Sequence, residues 1–340
     1  MKYLIKRFWY ILLMALVINI PLVVLGTVRT DKNVMLKGDT TLVKDFVEIE
    51  NANLASGTFS TIYVISFDHS TLLQNIMLKN DITSEVSNIS EGYLHLSDFE
   101  LGQMGQIQHQ SSIMYSIILA YNEAQKIDNS INIDYQFANI KVSYYTKDSS
   151  FRIGDEIVGM NGIMAENNFE QFREEFNNRE NGDIYNVIRN GKAIEIENNE
   201  NELFGGYQFY TINLENTTPK FSIKNSNVGG PSGGLLQTLA LYNSLIKDDI
   251  TKGYDIAGTG TISYDGTVGE IGGIKQKIYT AFDDNMDIFL CPEENYEEAL
   301  EAYNTLKNKE KMRLYKVSTF SEALEVLKNA WFYVKRFRSI

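Results

Sequence analysis

The chain has 340 residues, 44% of them hydrophobic, which is enough for about two domains with cores of their own. Its formal net charge of −13 excludes a nucleic-acid groove, where lysines and arginines would have to neutralise phosphates. A single cysteine, Cys291, excludes an internal disulfide, and no His/Cys grouping has metal-ligand spacing, so neither a metal nor another cofactor is expected.

Lys2, Lys6 and Arg7 precede an uncharged, mostly apolar stretch from Phe8 to Val28. That stretch can cross a hydrocarbon core, which takes about 20 residues. The basic flank favours an N-terminus in the cytoplasm and the rest of the chain outside it. Ile20–Gly26 offers no small-residue cleavage site, so residues 1–30 are read as a retained single-pass anchor in the cell membrane rather than a signal peptide.

Residues 31–130 are expected to form an extracellular strand and helix region. Val43, Phe46, Val47 and Ile49 lead into a turn-rich Asn51–Gly57, and Thr58–Ser66 has strong β content. Leu72–Ser90 reads as polar and mostly helical. Met104–Lys126 reads as a helix, with Ile113, Met114, Ile117, Ile118 and Tyr121 in register. His109 and the glutamines at 103, 106, 108 and 110 read as its solvated face.

Residues 131–200 read as a compact α+β unit. A Gly154-Asp155 turn leads into an apolar strand ending in the tight-turn dipeptide Asn161-Gly162. A helix over Asn168–Asn177 and a closing hairpin, Ile184–Ile188 and Ala193–Ile196 around Asn190-Gly191, complete it.

From 205 to 340 the pattern alternates as an α/β domain. Strands are expected at Tyr207–Leu214 and Phe221–Ile223, then a helix over 234–247. A strand Tyr254–Ile262, a hairpin turn at Asp265-Gly266 and a return strand Val268–Ile271 follow. The helix Ile274–Asp283 precedes a buried strand Met286–Leu290, which runs into Cys291, read as a buried structural thiol. Pro292-Glu293-Glu294 opens another helix with acidic residues in its first turn, as the dipole prefers. A last strand, Leu314–Val317, leads to a terminal helix from Ser321 to about Phe337, capped by Ser318/Thr319.

The chemistry concentrates in Gly229-Gly230-Pro231-Ser232-Gly233-Gly234. Leu235, Leu236, Leu239, Ala240, Leu245 and Ile246 carry helical spacing, so Ser232 sits where a loop becomes a helix, beside unpaired backbone N–H groups that could hold an oxyanion. The three histidines, His69, His95 and His109, lie far upstream. Gly272-Gly273 then opens a second helix carrying Lys275 and Lys277, and an uncharged lysine is the better candidate base. The helical wheel does not choose between these two lysines.

Gly-Pro-Ser-Gly-Gly, then Ala257-Gly258-Thr259-Gly260-Thr261-Ile262, then Asp265-Gly266-Thr267-Val268, then Gly272-Gly273-x-x-x-Lys277 resembles the proteolytic domain of the Lon family. The family's usual serine motif is Gly-Pro-Ser-Ala-Gly, so Gly233 departs from it, loosening the first helical turn while removing no chemistry. The resemblance implies Ser232 as nucleophile, Lys277 as base by the Gly-Gly-x-x-x-Lys spacing, and Thr259 as the residue that orients the amine. Gly230, Pro231 and Gly233 would support the loop, with Gly229 and Gly230 letting a substrate backbone approach closely.

No Gly-x-x-x-x-Gly-Lys-Ser/Thr occurs, so no ATP is expected as partner. The whole layout resembles the membrane-anchored, ATP-independent PDZ–Lon proteins of bacteria. That implies an α+β chain made of a transmembrane helix, a PDZ-like unit and a Lon-type α/β domain. The family's glycine-rich carboxylate-binding loop is not recognisable in Phe137–Ile140. The expected activity is a serine endopeptidase cleaving extracytoplasmic polypeptides, with monomer and oligomer both left open. The rival, an anchored scaffold with a vestigial Lon domain, would be favoured only if Ser232 or Lys277 were missing.

Overall fold

A computed structural model of the chain describes residues 2–199, 203–226 and 228–334, with side chains from Phe8 to Ala330 of these. The expected helix end at Phe337 lies outside the described residues. Helix α1 is Lys2–Thr27, followed by strands β1 (Lys32–Leu42), β2 (Val47–Ile49) and β3 (Thr58–Phe67). Helix α2 (Leu72–Leu78), strand β4 (Glu85–Asn88) and the long helix α3 (Asp98–Gln125) come next. The middle of the chain forms β5 (Tyr135–Tyr145), β6 (Glu156–Met160), β7 (Ile163–Met164), α4 (Phe169–Asn177), β8 (Ile184–Arg189), β9 (Lys192–Glu197) and β10 (Phe204–Ile212). The last part forms β11 (Phe221–Ile223), α5 (Gly234–Leu245), β12 (Asp255–Gly258), β13 (Thr261–Ile262), β14 (Val268–Gly269), α6 (Ile274–Asp283), β15 (Ile288–Pro292), α7 (Tyr296–Asn304), β16 (Arg313–Val317) and α8 (Phe320–Val334).

Two sheets carry the fold. The first has the order β16-β15-β12-β3-β1-β4, in which β16, β15, β12 and β3 run parallel while β1 and β4 are antiparallel additions. Parallel strands are covered on both faces, and all five residues of β15 are buried. Residues of α3, α5 and α8 share one core on this sheet, and α6 and α7 contribute to a second. The second sheet, β10-β5-β6-β8-β9, is antiparallel and holds its own core with Phe172 of α4. Its β8–β9 hairpin turns through Asn190 and Gly191, both at positive φ (51° and 75°), the conformation that an Asn-Gly turn supplies.

The expected boundaries at 130 and 205 do not coincide with these sheets. β1 and β3, from the 31–130 region, pair into the same sheet as β12, while β10, expected with the C-terminal domain, pairs along β5 instead. Leu72–Ser90 is not mostly helical either: α2 stops at Leu78, and β4 pairs with β1. The strand expected over Tyr254–Ile262 breaks between Gly258 and Thr261, and that break is where the site is built. Helix α3 begins earlier than expected, under a Ser97/Glu100 capping box that satisfies two backbone donors. His109 is not on a solvated face. It is 5% exposed and packs edge-on against Phe46.

Candidate active site

Ser232 precedes the first turn of α5, whose N-cap is Gly233. Helix α3 clamps the approach to it. Gly230 N–H donates to Gly105 O at 2.8 Å, Gln106 Nε2 to Val228 O at 3.3 Å, and Ser112 Oγ to Pro231 O at 3.1 Å. Gly230 takes φ +85°, a backbone conformation that costs a side-chain-bearing residue free energy. From the other side, Ser232 O accepts Gly260 N–H at 2.8 Å and Thr259 Oγ1 at 3.0 Å. The loop is thus tied on one flank to α3 and on the other to the break between β12 and β13.

Helix α6 starts at Gly273, itself at φ +70°, and one turn later presents Lys277. The Lys277 side chain is 1% exposed, and its Nζ lies 2.8 Å from Ser232 Oγ and 2.9 Å from Thr259 Oγ1. Thr259 is fully buried and held by its N–H bond to Leu290 O at 2.9 Å. Because the Thr259 hydroxyl proton is committed to Ser232 O, that oxygen can only accept from the lysine. A neutral amine that donates there can still offer its lone pair to the serine hydroxyl. Burial alone lowers the Lys277 pKa from its usual 10.5 to about 7.

Of the two lysines left open by the helical wheel, only Lys277 reaches Ser232. Lys275 is half-exposed, in the fields of Asp81 and Glu298. None of the histidines bonds to Ser232. His69 Nδ1 pairs with Asp98 at 2.8 Å, and His95 packs edge-on against Tyr145. His109 lies under the serine loop, where burial lowers its pKa and a backbone hydrogen bond with Gly230 partly offsets the shift. Among the described residues no group of three or more His, Cys, Asp or Glu side chains could hold a metal ion. Cys291 is fully buried, and burial pushes its thiol up to about 12.

Gly233 has a structural counterpart. A Cβ there would stand 2.9 Å from Gln237 Nε2 and 3.1 Å from Thr61 Cγ2. Gln237 is 1% exposed, and its Oε1 lies 3.2 Å from Ser112 Oγ and 3.4 Å from Ser116 Oγ. The buried glutamine occupies the space that an alanine methyl would need. Neither this network nor the clamp from α3 was visible in the motifs. Gly102 and Gly105 within a helical pattern were the local hint, and a Cβ built on Gly105 would stand 3.5 Å from the Gly229 Cα.

Residues 218–331 match the family model of the Lon protease (S16) C-terminal proteolytic domain. This segment is similar to Lon-type proteolytic domains. It is 33% identical over 122 residues to the Lon protease of Campylobacter jejuni subsp. jejuni serotype O:2, covering 35% of this chain and 14% of that protein. The Lon protease of Trichlorobacter lovleyi is 36% identical over 101 residues, 30% of this chain and 12% of that one. That of Brucella suis biovar 1 is 32% identical over 111 residues, 33% and 12% of the two chains. The chain therefore spans only a small part of the length of these relatives, and the likeness supports a serine peptidase. The matched segment contains Ser232, Thr259 and Lys277, but β1, β3 and α3, which complete its sheet and clamp its serine loop, lie outside the match.

Proposed function

We propose that the chain is a membrane-anchored serine endopeptidase that cleaves extracytoplasmic polypeptides without ATP, with Ser232 as nucleophile and Lys277 as its base. The observation that carries this reading is the 2.8 Å contact between a buried lysine amine and a serine hydroxyl. With its pKa near 7, Lys277 is substantially neutral at physiological pH.

Lys277 takes the hydroxyl proton as Ser232 Oγ attacks the peptide carbonyl carbon, giving a tetrahedral oxyanion. N–H groups at the start of α5 stabilise that charge. Collapse breaks the C–N bond, the ammonium of Lys277 returns its proton to the leaving amine, and an ester to Ser232 remains. Water then attacks the ester, Lys277 takes its proton, and the acid product leaves with Ser232 restored. Thr259 holds the amine in line, while Gly230, Pro231 and Gly233 shape the serine loop.

The membrane assignment rests on Phe8–Thr27, a helix with a mean hydropathy of 2.5 and no residue buried against the protein. The N-terminal Lys2, Lys6 and Arg7 favour an extracytoplasmic catalytic part. The second sheet, built from β5 to β9 with β10, serves as a PDZ-like docking unit. Helix α3 supports this role by touching both the sheet, through Tyr115 Oη to Gln208 N–H at 3.1 Å, and the serine loop, through Gly105 and Gln106.

The test is cleavage of an unfolded protein such as casein by the full chain in detergent micelles. Ser232→Ala should release no fragments while remaining folded. Equal cleavage by that variant would overturn the assignment.

A further inference from the structure

Helix α2 turns part of its apolar sequence outward. Its sequence, Leu72-Leu73-Gln74-Asn75-Ile76-Met77-Leu78, is mostly apolar, yet none of its residues is buried. Leu72, Leu73 and Leu78 are half-buried, and the polar side chains tie the helix down. Gln74 Oε1 accepts Thr71 N–H at 2.7 Å, and Asn75 bonds to both Thr30 Oγ1 at 2.9 Å and Ser70 Oγ at 2.7 Å. Outside stand Ile76 (62% exposed) and Met77 (69%), with Ile82 (69%) just beyond the helix. A globular surface helix normally does the reverse, turning its apolar stripe to the core.

The place of this face in the fold says what covers it. Leu72 N–H donates to Val28 O at 3.2 Å, Thr30 N–H to Ser70 O at 3.0 Å, and α2 packs against α1. Leu25 is the one half-buried residue of Phe8–Thr27, so α1 meets the rest of the protein at its C-terminal end. The apolar face of α2 therefore lies where the apolar span ends. Asp81, the acidic group beside this face, has its carboxylate engaged by Thr83 N–H and Oγ1.

We infer that α2 and the turn to Ile82 form a second, monotopic contact with the bilayer, with Ile76, Met77 and Ile82 seated at the headgroup–acyl boundary. The inference rests on the reading of α1 as a membrane span. A single span leaves the catalytic part free to swivel; two contacts hold it at a fixed tilt over the surface.

The experiment uses the full chain in phosphatidylcholine–phosphatidylglycerol vesicles, with one environment-sensitive fluorophore per variant. Labels go on Ile76→Cys, Met77→Cys and Ile82→Cys, on Leu16→Cys within the span, and on Leu54→Cys, an apolar position 96% exposed elsewhere. Cys291, fully buried, stays unlabelled. Lipids brominated near the headgroup should quench positions 76, 77 and 82 several-fold more than position 54, while deep bromines quench position 16. Quenching at 16 with 76, 77 and 82 no different from 54 overturns the second contact and leaves the anchor standing. No quenching at 16 overturns the anchor and this inference together.

Discussion

Lys277 and Ser232 lie 45 positions apart in the chain, yet the lysine amine stands 2.8 Å from the serine hydroxyl. Burial is the sole cause of the lowered lysine pKa, so what tunes this amine is the dryness of the seam between α6, the β12–β13 break and the serine loop. Thr259 closes that arrangement by accepting from the amine while donating to the serine carbonyl.

Thr259→Val should remove both bonds with little change in volume. We expect kcat to fall by about 10- to 100-fold, with KM nearly unchanged, since proton transfer by a misplaced base is impaired. Thr259→Ser should recover most of the loss. Steady-state kinetics on a fluorogenic peptide would check this, and a wild-type kcat in Thr259→Val would remove Thr259 from the mechanism.

Gly233→Ala tests the departure from the usual serine motif. The added methyl meets a buried glutamine amide packed beside Ser112 and Ser116, so folding stability should drop by about 1–3 kcal/mol. Combined with Gln237→Ala, the two effects should be less than additive, because the second change makes room for the first. Urea denaturation of the detergent-solubilised chain would measure both.

Much of this site was legible locally. Glycines and a proline around Ser232, and Gly272-Gly273 before Lys277, are turn and helix-start chemistry that depends on near neighbours. The choice between Lys275 and Lys277 could not come from the helical wheel, because both flank the buried face; it depends on where Thr259 and Ser232 arrive from other elements. The partners of strands were least legible. β10 has the composition to pair with either sheet, and only the long-range register with β5 decides it. The glutamines around His109 suggested a wet face, but the helix turns His109 itself onto Phe46 and under Gly230.

Stability should carry the imprint of the buried lysine. Below pH about 7 the folded and unfolded chains both hold the Lys277 proton, and the burial of its charge opposes folding in full. As pH rises from about 7 to 10.5, the unfolded chain keeps a proton that the folded one has lost, so stability climbs. The gap corresponds to about 5 kcal/mol across that window. Lys277→Met should be more stable than wild type at low pH, with the difference shrinking toward alkaline pH. A difference that does not vary with pH would mean that the amine is not buried as described.

The proposed topology predicts that protease added to wall-stripped intact cells degrades the portion from residue 31 onward. Protection of that portion until the membrane is broken would place it in the cytoplasm and end the extracytoplasmic reading.

The most direct measurement is the pH dependence of kcat/KM for peptide cleavage by the full chain, alongside Lys277→Arg and Lys275→Arg. Deprotonation of one lysine predicts a rate that rises from acid to alkaline pH with a midpoint at about 7. Lys277→Arg should be inactive at every pH, because guanidinium stays protonated, and Lys275→Arg should follow the wild-type curve. A rate independent of pH across that range, or cleavage persisting in Lys277→Arg, would contradict a neutral Lys277 as the base for Ser232.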